Sequence, residues 1–279
     1  MTPLVAAAVL LAAVTHACWN AIAHRITDKL VGFTLISGGG MLIGLALAPF
    51  VPLPAAGAWP YLTLSAVLHV TYYALLMRSY RLGDFGQAYP IARGSAPLFV
   101  TVLAAVFADE YPGLWQGAGI VIACAGLGGV ALWGLRGRRP DRPAIVAALA
   151  TGSSIAAYTV VDGIGVRASG APLGYVAWLM ILEGFAVPLY ALWRWRGSFL
   201  TKLRPQAVVG LLGAALSVLA YGLVLWAQTR AALAPVAALR ESSILVGAAI
   251  GTFLFKEQFG VVRVAAAGLL VVGIGLMLT

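Results

Sequence analysis

Long apolar runs, broken by short clusters of proline, glycine and charge, make up almost the whole chain. Ten runs can be placed, over residues 3–23, 31–51, 59–77, 86–107, 113–134, 143–164, 171–193, 206–227, 233–255 and 260–278. Each has about the 20 residues that an α-helix needs to cross a bilayer. Turn chemistry separates them: Pro52 and Pro54 follow the second, Gly83 precedes the fourth and Pro112-Gly113 opens the fifth. Pro140 and Pro143, Ala171-Pro172, Pro205 and Gly260 mark later boundaries. The pattern predicts an all-α integral membrane protein of ten transmembrane helices.

Two of these runs carry an arginine well inside them. Arg93 sits in the segment from Ala88 to Ala108, and Arg240 in the segment from Pro235 to Phe255, each about two helical turns from an end. Arginine at the centre of a membrane helix costs about 2.5–3.5 kcal/mol on insertion scales. A shift of 147 positions superposes Arg93 on Arg240, Ser95 on Ser242 and Glu110 on Glu257 without a gap. The same shift pairs Gly113 with Gly260, Gly126 with Gly273 and Gly128 with Gly275. The basic loop from Arg136 to Arg142 then divides the spans five and five, giving repeats over 1–139 and 140–279. An odd number of spans per repeat makes the halves cross the membrane in opposite directions, the inverted architecture that supports alternating access to a site near the midplane.

Composition agrees, since 62% of the 279 residues are hydrophobic and 10% charged. A water-soluble domain cannot hide that much apolar surface. The net charge of +9 invites a nucleic-acid reading, but the bases sit in short loops facing lipid, so no nucleic-acid partner is expected. Odd-numbered loops hold fourteen of the eighteen basic residues, which places them in the cytoplasm and both termini outside. The expected location is the plasma membrane, the inner membrane in a bacterium. Residues 2–18 lack a basic leader and a small-residue cleavage site, so they are read as a retained first helix. Cys18 and Cys124 both lie in apolar runs, which offers no disulfide framework and no metal site. No cofactor is expected.

The unit from Pro90 to Gly117 reads P-x-x-x-x-x-A-P-L-F, then Asp109-Glu110, then Gly113-x-x-x-Gly117, and it recurs more loosely from Leu239 to Gly268. With ten spans in an inverted five-plus-five repeat, it resembles the EamA-type transporters of the drug/metabolite transporter superfamily. His16-Ala17-x-Trp19-Asn20 in the first span is similar to one subgroup of that family. The resemblance implies a basket of helices around a central cavity and transport of small metabolites, often export of amino acids or drug-like compounds. It also implies cytoplasmic termini, against the loop charges.

Several residues are candidates for a site. Arg93 and Arg240 offer planar donor forks suited to a carboxylate or phosphonate, or each locks the bundle by pairing with a carboxylate. Glu241 follows Arg240 directly and faces elsewhere on a regular helix. Glu183, mid-way along the seventh run, is a cation contact, a proton-coupling group or an ion-pair partner of either arginine. Asp162 is read as an interface residue near a helix end. His16 and His69 can hydrogen-bond a substrate or shuttle protons, or simply pack. Trp19, Tyr89 and Tyr158 can line a cavity, with packing as the alternative; Trp19 and Tyr158 occupy corresponding places in the two halves. Pro97 beside Arg93, and Pro188 beyond Glu183, can kink their helices where a transporter bends. Glu183, Glu241 and Pro97 are thus the coupling or gating candidates.

These residues favour a secondary transporter of a small polar or zwitterionic, amino-acid-like metabolite, with a cationic-drug exporter as the alternative. A remote third reading, an intramembrane hydrolase built on Gly152-Ser153-Ser154 with His16 or His69, has no oxyanion device. No GxxxxGK[ST] is present, so transport runs on a gradient rather than on ATP, and no enzymatic activity is expected. Ten spans can enclose a cavity within one chain, so a working monomer is expected. A reporter fused after Thr279 should read out on the outer face of the membrane; a cytoplasmic signal would reverse the assigned orientation.

Overall fold

The computed structural model describes residues 1–82, 85–134, 142–247 and 261–278, with side chains excepted at 24, 77, 80–81, 85–90, 130–134 and 261–263. Among the described residues every regular element is a helix, because hydrocarbon leaves a backbone no other way to satisfy its own polar groups within one segment. α1 (Pro3–Arg25) starts on Thr2, whose hydroxyl accepts from the Val5 N–H, with proline at the first helical position. α2 (Lys29–Leu47) starts on Asp28, whose Oδ1 accepts from Leu30 and Val31 N–H at 3.0 and 3.3 Å. α3 (Trp59–Leu82), α4 (Phe85–Phe107), α5 (Leu114–Gly134) and α6 (Arg142–Ser169) follow.

The seventh run is not one helix. It divides into α7 (Pro172–Gly184) and α8 (Ala186–Trp195), with the break at Phe185. Pro188 lacks the N–H that would reach the Gly184 carbonyl, and its ring crowds that carbonyl. Short α9 (Phe199–Leu203) leads into α10 (Ala207–Gln228). The ninth run also breaks: α11 (Leu233–Arg240) ends in a turn at Glu241-Ser242, and the chain is helical again over 243–247. α12 (Val261–Leu278) closes the order. The break ahead of Pro188 is one of the two bends expected beside charge; at Pro97 α4 runs on unbroken, and the second break falls at Glu241.

Helix pairing follows the two halves. α3 packs on α6 as α1 packs on α10, α4 on α6 as α11 on α1, α4 on α5 as α11 on α12, and α3 on α7 as α10 on α2. Exchanging the first five spans with the last five maps each of these pairs onto its partner, and maps α5–α12, α2–α7 and α4–α11 onto themselves. The 139/140 boundary, and with it Arg136, Arg138 and Arg139, lies outside the described residues, as do Lys256, Glu257 and Gly260.

The outside of the bundle is apolar. Phe50, Val106, Leu114, Trp193 and Val208 are each more than half exposed, as lipid-facing side chains must be. Among the described residues, Pro3–Ala23, Lys29–Phe50, Arg142–Ser169 and the run Pro172–Gln228 are long and apolar enough to cross a membrane, and Ile91–Phe107, Leu114–Gly129 and Val264–Leu278 are shorter apolar helices.

Close helix approach replaces the hydrophobic driving force that lipid removes. Gly113 and Gly117, a small-x-x-x-small pair, face open space. The tight crossing of α5 and α12 is at Gly119 and Gly273, where an added Cβ would come within 2.5 Å of the Gly273 carbonyl oxygen or 2.6 Å of that of Gly119. Gly119→Leu should therefore cost about 1–3 kcal/mol by overpacking. Gly117→Leu should leave the melting temperature near that of the parent, and equal losses in the two variants would contradict this packing.

Candidate functional site

Bare charge is costly inside such a bundle, and the structure shows which buried charges are paired and which is not. Arg93 on α4 and Arg240 at the end of α11 are both buried, 4% exposed. Arg93 Nε donates to Glu241 Oε2 at 2.9 Å, joining the two halves across the α4–α11 contact. On a continuous helix Glu241 would point away from this face. The turn after Arg240, with 3.1 Å bonds from Glu241 N–H to Ala238 O and from Ser242 N–H to Leu239 O, redirects it onto Arg93.

Arg240 makes no such ion pair among the described residues, although its charge also acts on Glu241. Its Nε is buried without a hydrogen-bond acceptor among the described residues, and the hydroxyls of Ser242 and Ser243 beside it are buried and unpartnered in the same sense. The Tyr158 hydroxyl lies against its guanidinium. In the first half the equivalent serine, Ser95, is satisfied by donating to Ala92 O at 3.2 Å. The equivalent of Glu241 is Gly94, where an added Cβ would come within 2.8 Å of Leu127 Cβ, so no larger side chain fits. The two arginines are related by the repeat and are not alike in their surroundings.

A second polar cluster lies beside the first. Glu183, near the end of α7, sits 3.3 Å from His69 Nε2 of α3, and not against either arginine as one expectation had it. His69 Nδ1 lies 3.0 Å from the Ser65 carbonyl oxygen and 3.2 Å from its hydroxyl. The His69 ring stacks on Tyr158 of α6, with centroids 4.1 Å apart, and meets Tyr221 of α10 edge-on. Tyr158 thus touches both clusters, the histidine through its ring and Arg240 through its hydroxyl.

Asp162 belongs here too, which corrects its reading as an interface residue. It is fully buried, and its two oxygens accept from the hydroxyls of Tyr175, at 2.9 Å, and Tyr221. α6 continues to Ser169, past the expected end at 164, so Asp162 lies about two turns inside it. The sequence signal was the set of mid-span tyrosines, whose hydroxyls need a partner when buried.

His16 and Trp19 form a separate pair on α1. Trp19 Nε1 donates to His16 Nδ1 at 3.3 Å, and both arginine charges act on His16. Trp19 makes no ring contact with Tyr158 among the described residues. Side-chain detail at Tyr89 lies outside the described residues. The serine–histidine arrangement is not formed: Ser154 donates to the Leu68 carbonyl. Ser65, His69 and Glu183 have the order of a hydrolase triad, but Ser65 is wholly buried. The ring nitrogen beside it must also donate to a carbonyl, so it cannot take the serine proton.

At the even-loop end Arg167 and Glu110 form a latch. Arg167 on α6 donates to Glu110, to Gln228 O at 2.7 Å and to Ala231 O at 2.9 Å, while Glu110 Oε2 accepts from the N–H of Leu233 at the start of α11 at 2.6 Å. Asp109, at φ 54°, takes the left-handed position usual for glycine after a helix, turning the chain so that Glu110 reaches both partners. Four helices are tied at one end by this contact.

Breaking one side of the Arg93–Glu241 pair strands a buried charge, at about 3–5 kcal/mol. Glu241→Ala should lower thermal stability by an amount of that order, and the double variant Arg93→Met/Glu241→Leu should recover more than half of it. A double variant as unstable as the single one would contradict a pairwise role.

The EamA-like transporter family model matches the chain twice, over residues 3–132 and 142–279. A comparison with curated proteins returned no match. Among solved structures, one described as "Crystal structure of protein" is 17% identical, with a TM-score of 0.72 over 98% of this chain and 96% of that one, a likeness of fold alone.

Proposed function

The chain belongs to the EamA-like transporter family, a multi-pass membrane family of the drug/metabolite transporter superfamily, and from that premise we propose that it is a secondary transporter of a small zwitterionic, amino-acid-like metabolite, bound by its acidic group at Arg240. One observation carries this reading. Arg240 Nε and the hydroxyls of Ser242 and Ser243 are buried and unsatisfied among the described residues at a helix break. Arg93, although its Nη2 also makes no hydrogen bond among the described residues, carries the Glu241 carboxylate as counter-charge at 2.9 Å. A desolvated guanidinium next to free hydroxyls suits a carboxylate or phosphonate, both of which accept paired hydrogen bonds. Tyr158 closes the site on one side, and His16 with Trp19 on α1 supplies an aromatic wall in reach of the arginine charges.

Alternating access then works by rocking one repeat against the other. The Arg167–Glu110 latch ties the even-loop end, which the loop charges assign to the outside. The helix breaks at Phe185 and Glu241 are the places where the bundle can bend, with Glu241 acting as the structural counter-charge of the site. One chain, in the plasma membrane, is the working unit.

The test is a thermal-shift panel on purified protein, covering amino acids, phosphonates and lipophilic cations, repeated on variants. Amino acids or phosphonates should raise the melting temperature of the parent, and Arg240→Ala should bind them about 10- to 100-fold more weakly. If cations alone stabilise the protein, and Glu183→Gln alone abolishes the effect, the substrate is a cation and Arg240 is not its binding group.

A further inference from the structure

The contacts of His69 fix where its protons lie. The Ser65 carbonyl can only accept, so His69 Nδ1, 3.0 Å away, carries a hydrogen. In a neutral ring that leaves Nε2 as a bare lone pair. Yet Nε2 faces the Glu183 carboxyl at 3.3 Å, both side chains are largely buried, and a lone pair against a carboxylate repels. Glu183 Oε2 is also buried without a hydrogen-bond partner among the described residues, so a proton on either member relieves both groups, as imidazolium with carboxylate or imidazole with carboxylic acid. Asp162, the other buried carboxyl nearby, accepts from two phenols and needs no proton for its own hydrogen bonds.

The groups around the pair come from every helix packed on it. α3 contributes Tyr72 and Tyr73, α6 contributes Tyr158 and Asp162, α7 itself contributes Tyr175, and α10 contributes Tyr221. α2 has no titratable side chain beyond Lys29 at its start. Farther off, the Arg240 charge also acts on His69. In charge count the two arginines balance Glu241 and Asp162, so the whole cluster is neutral with a proton on the pair and carries one net negative charge without it.

We propose that His69 and Glu183 form a proton-binding site, and that its proton is taken up together with the acidic group bound at Arg240. The first half stands on the His69 contacts; the second rests on the function proposed above. Without the proton, an incoming carboxylate meets an excess negative charge in a low-dielectric interior; with it, that penalty is absent. Linkage makes the effect mutual, so the acidic group tightens the proton as the proton tightens the acidic group. Tyr158, stacked on His69 and touching Arg240, is the side chain through which the two sites meet.

The chain has three histidines, so nitrogen NMR of purified protein labelled with 15N-histidine can resolve each ring. Between pH 5 and 9 the ring absent in His69→Gln should keep Nδ1 protonated while Nε2 changes in a single step. That step should be lost from this range in Glu183→Gln and persist in Asp162→Asn. An unprotonated Nδ1, no step in the parent protein, or a step unchanged by Glu183→Gln would overturn the site; the parent spectrum decides even if a variant fails to fold. Saturating sodium acetate, compared with chloride at equal ionic strength, should move the step to higher pH by about one unit, the size of one charge at about 10 Å with an effective dielectric constant of about 20. A step that acetate leaves in place overturns the coupled uptake; with the step itself intact, the fault then lies with Arg240 as the acid-binding group.

Discussion

The interior is organised by one constraint: charge held inside an apolar bundle is costly unless it is matched at close range. Arg240 is the buried charge that is not so matched among the described residues. Arg93 is matched by Glu241, Asp162 by two tyrosine hydroxyls and Glu183 by His69. Each match joins helices from different parts of the chain, so the polar contacts also fix how the spans sit against each other. Removing one member of such a set strands its partner, which costs more than never having had the pair.

The repeat supplies two copies of the same frame, and the site arises where the copies differ. Gly94, wedged against Leu127, leaves α4 regular through the neighbourhood of Arg93. Its counterpart Glu241 cannot stay on the helix face beside Arg240 and satisfy a charge, and the chain breaks there. That break turns Glu241 onto the first-half arginine and leaves the second-half arginine with free hydroxyls for company. A glycine-to-glutamate difference between the halves thus converts a symmetric pair into one cation paired with a carboxylate and one whose Nε has no acceptor among the described residues.

The helical class, the two-repeat plan and the repeat-related placement of both arginines were legible in the sequence, because apolar run length and a gap-free shift of 147 positions survive without tertiary information. Three things were not. The partner of Arg93 was hidden because neighbouring residues on a helix diverge, and nothing in Arg240-Glu241-Ser242 announced a turn. Asp162 was hidden because an Asp-Gly-x-Gly-x-Arg stretch reads as a helix end, while α6 in fact continues to Ser169, with Arg167 donating to the carbonyls of Gln228 and Ala231. The latch through Glu110 was hidden because its contacts lie 57 and 123 positions away along the chain. Periodicity places spans; it does not say which polar faces meet.

The difference between the arginines is the central claim, and a ligand-bound structure tests it most directly. With a bound amino acid or phosphonate resolved well enough to place its acidic group, the account predicts that group at hydrogen-bond distance from Arg240, with the Arg93–Glu241 pair intact. An acidic group seated on Arg93 with Glu241 displaced, or a ligand remote from both arginines, would contradict it.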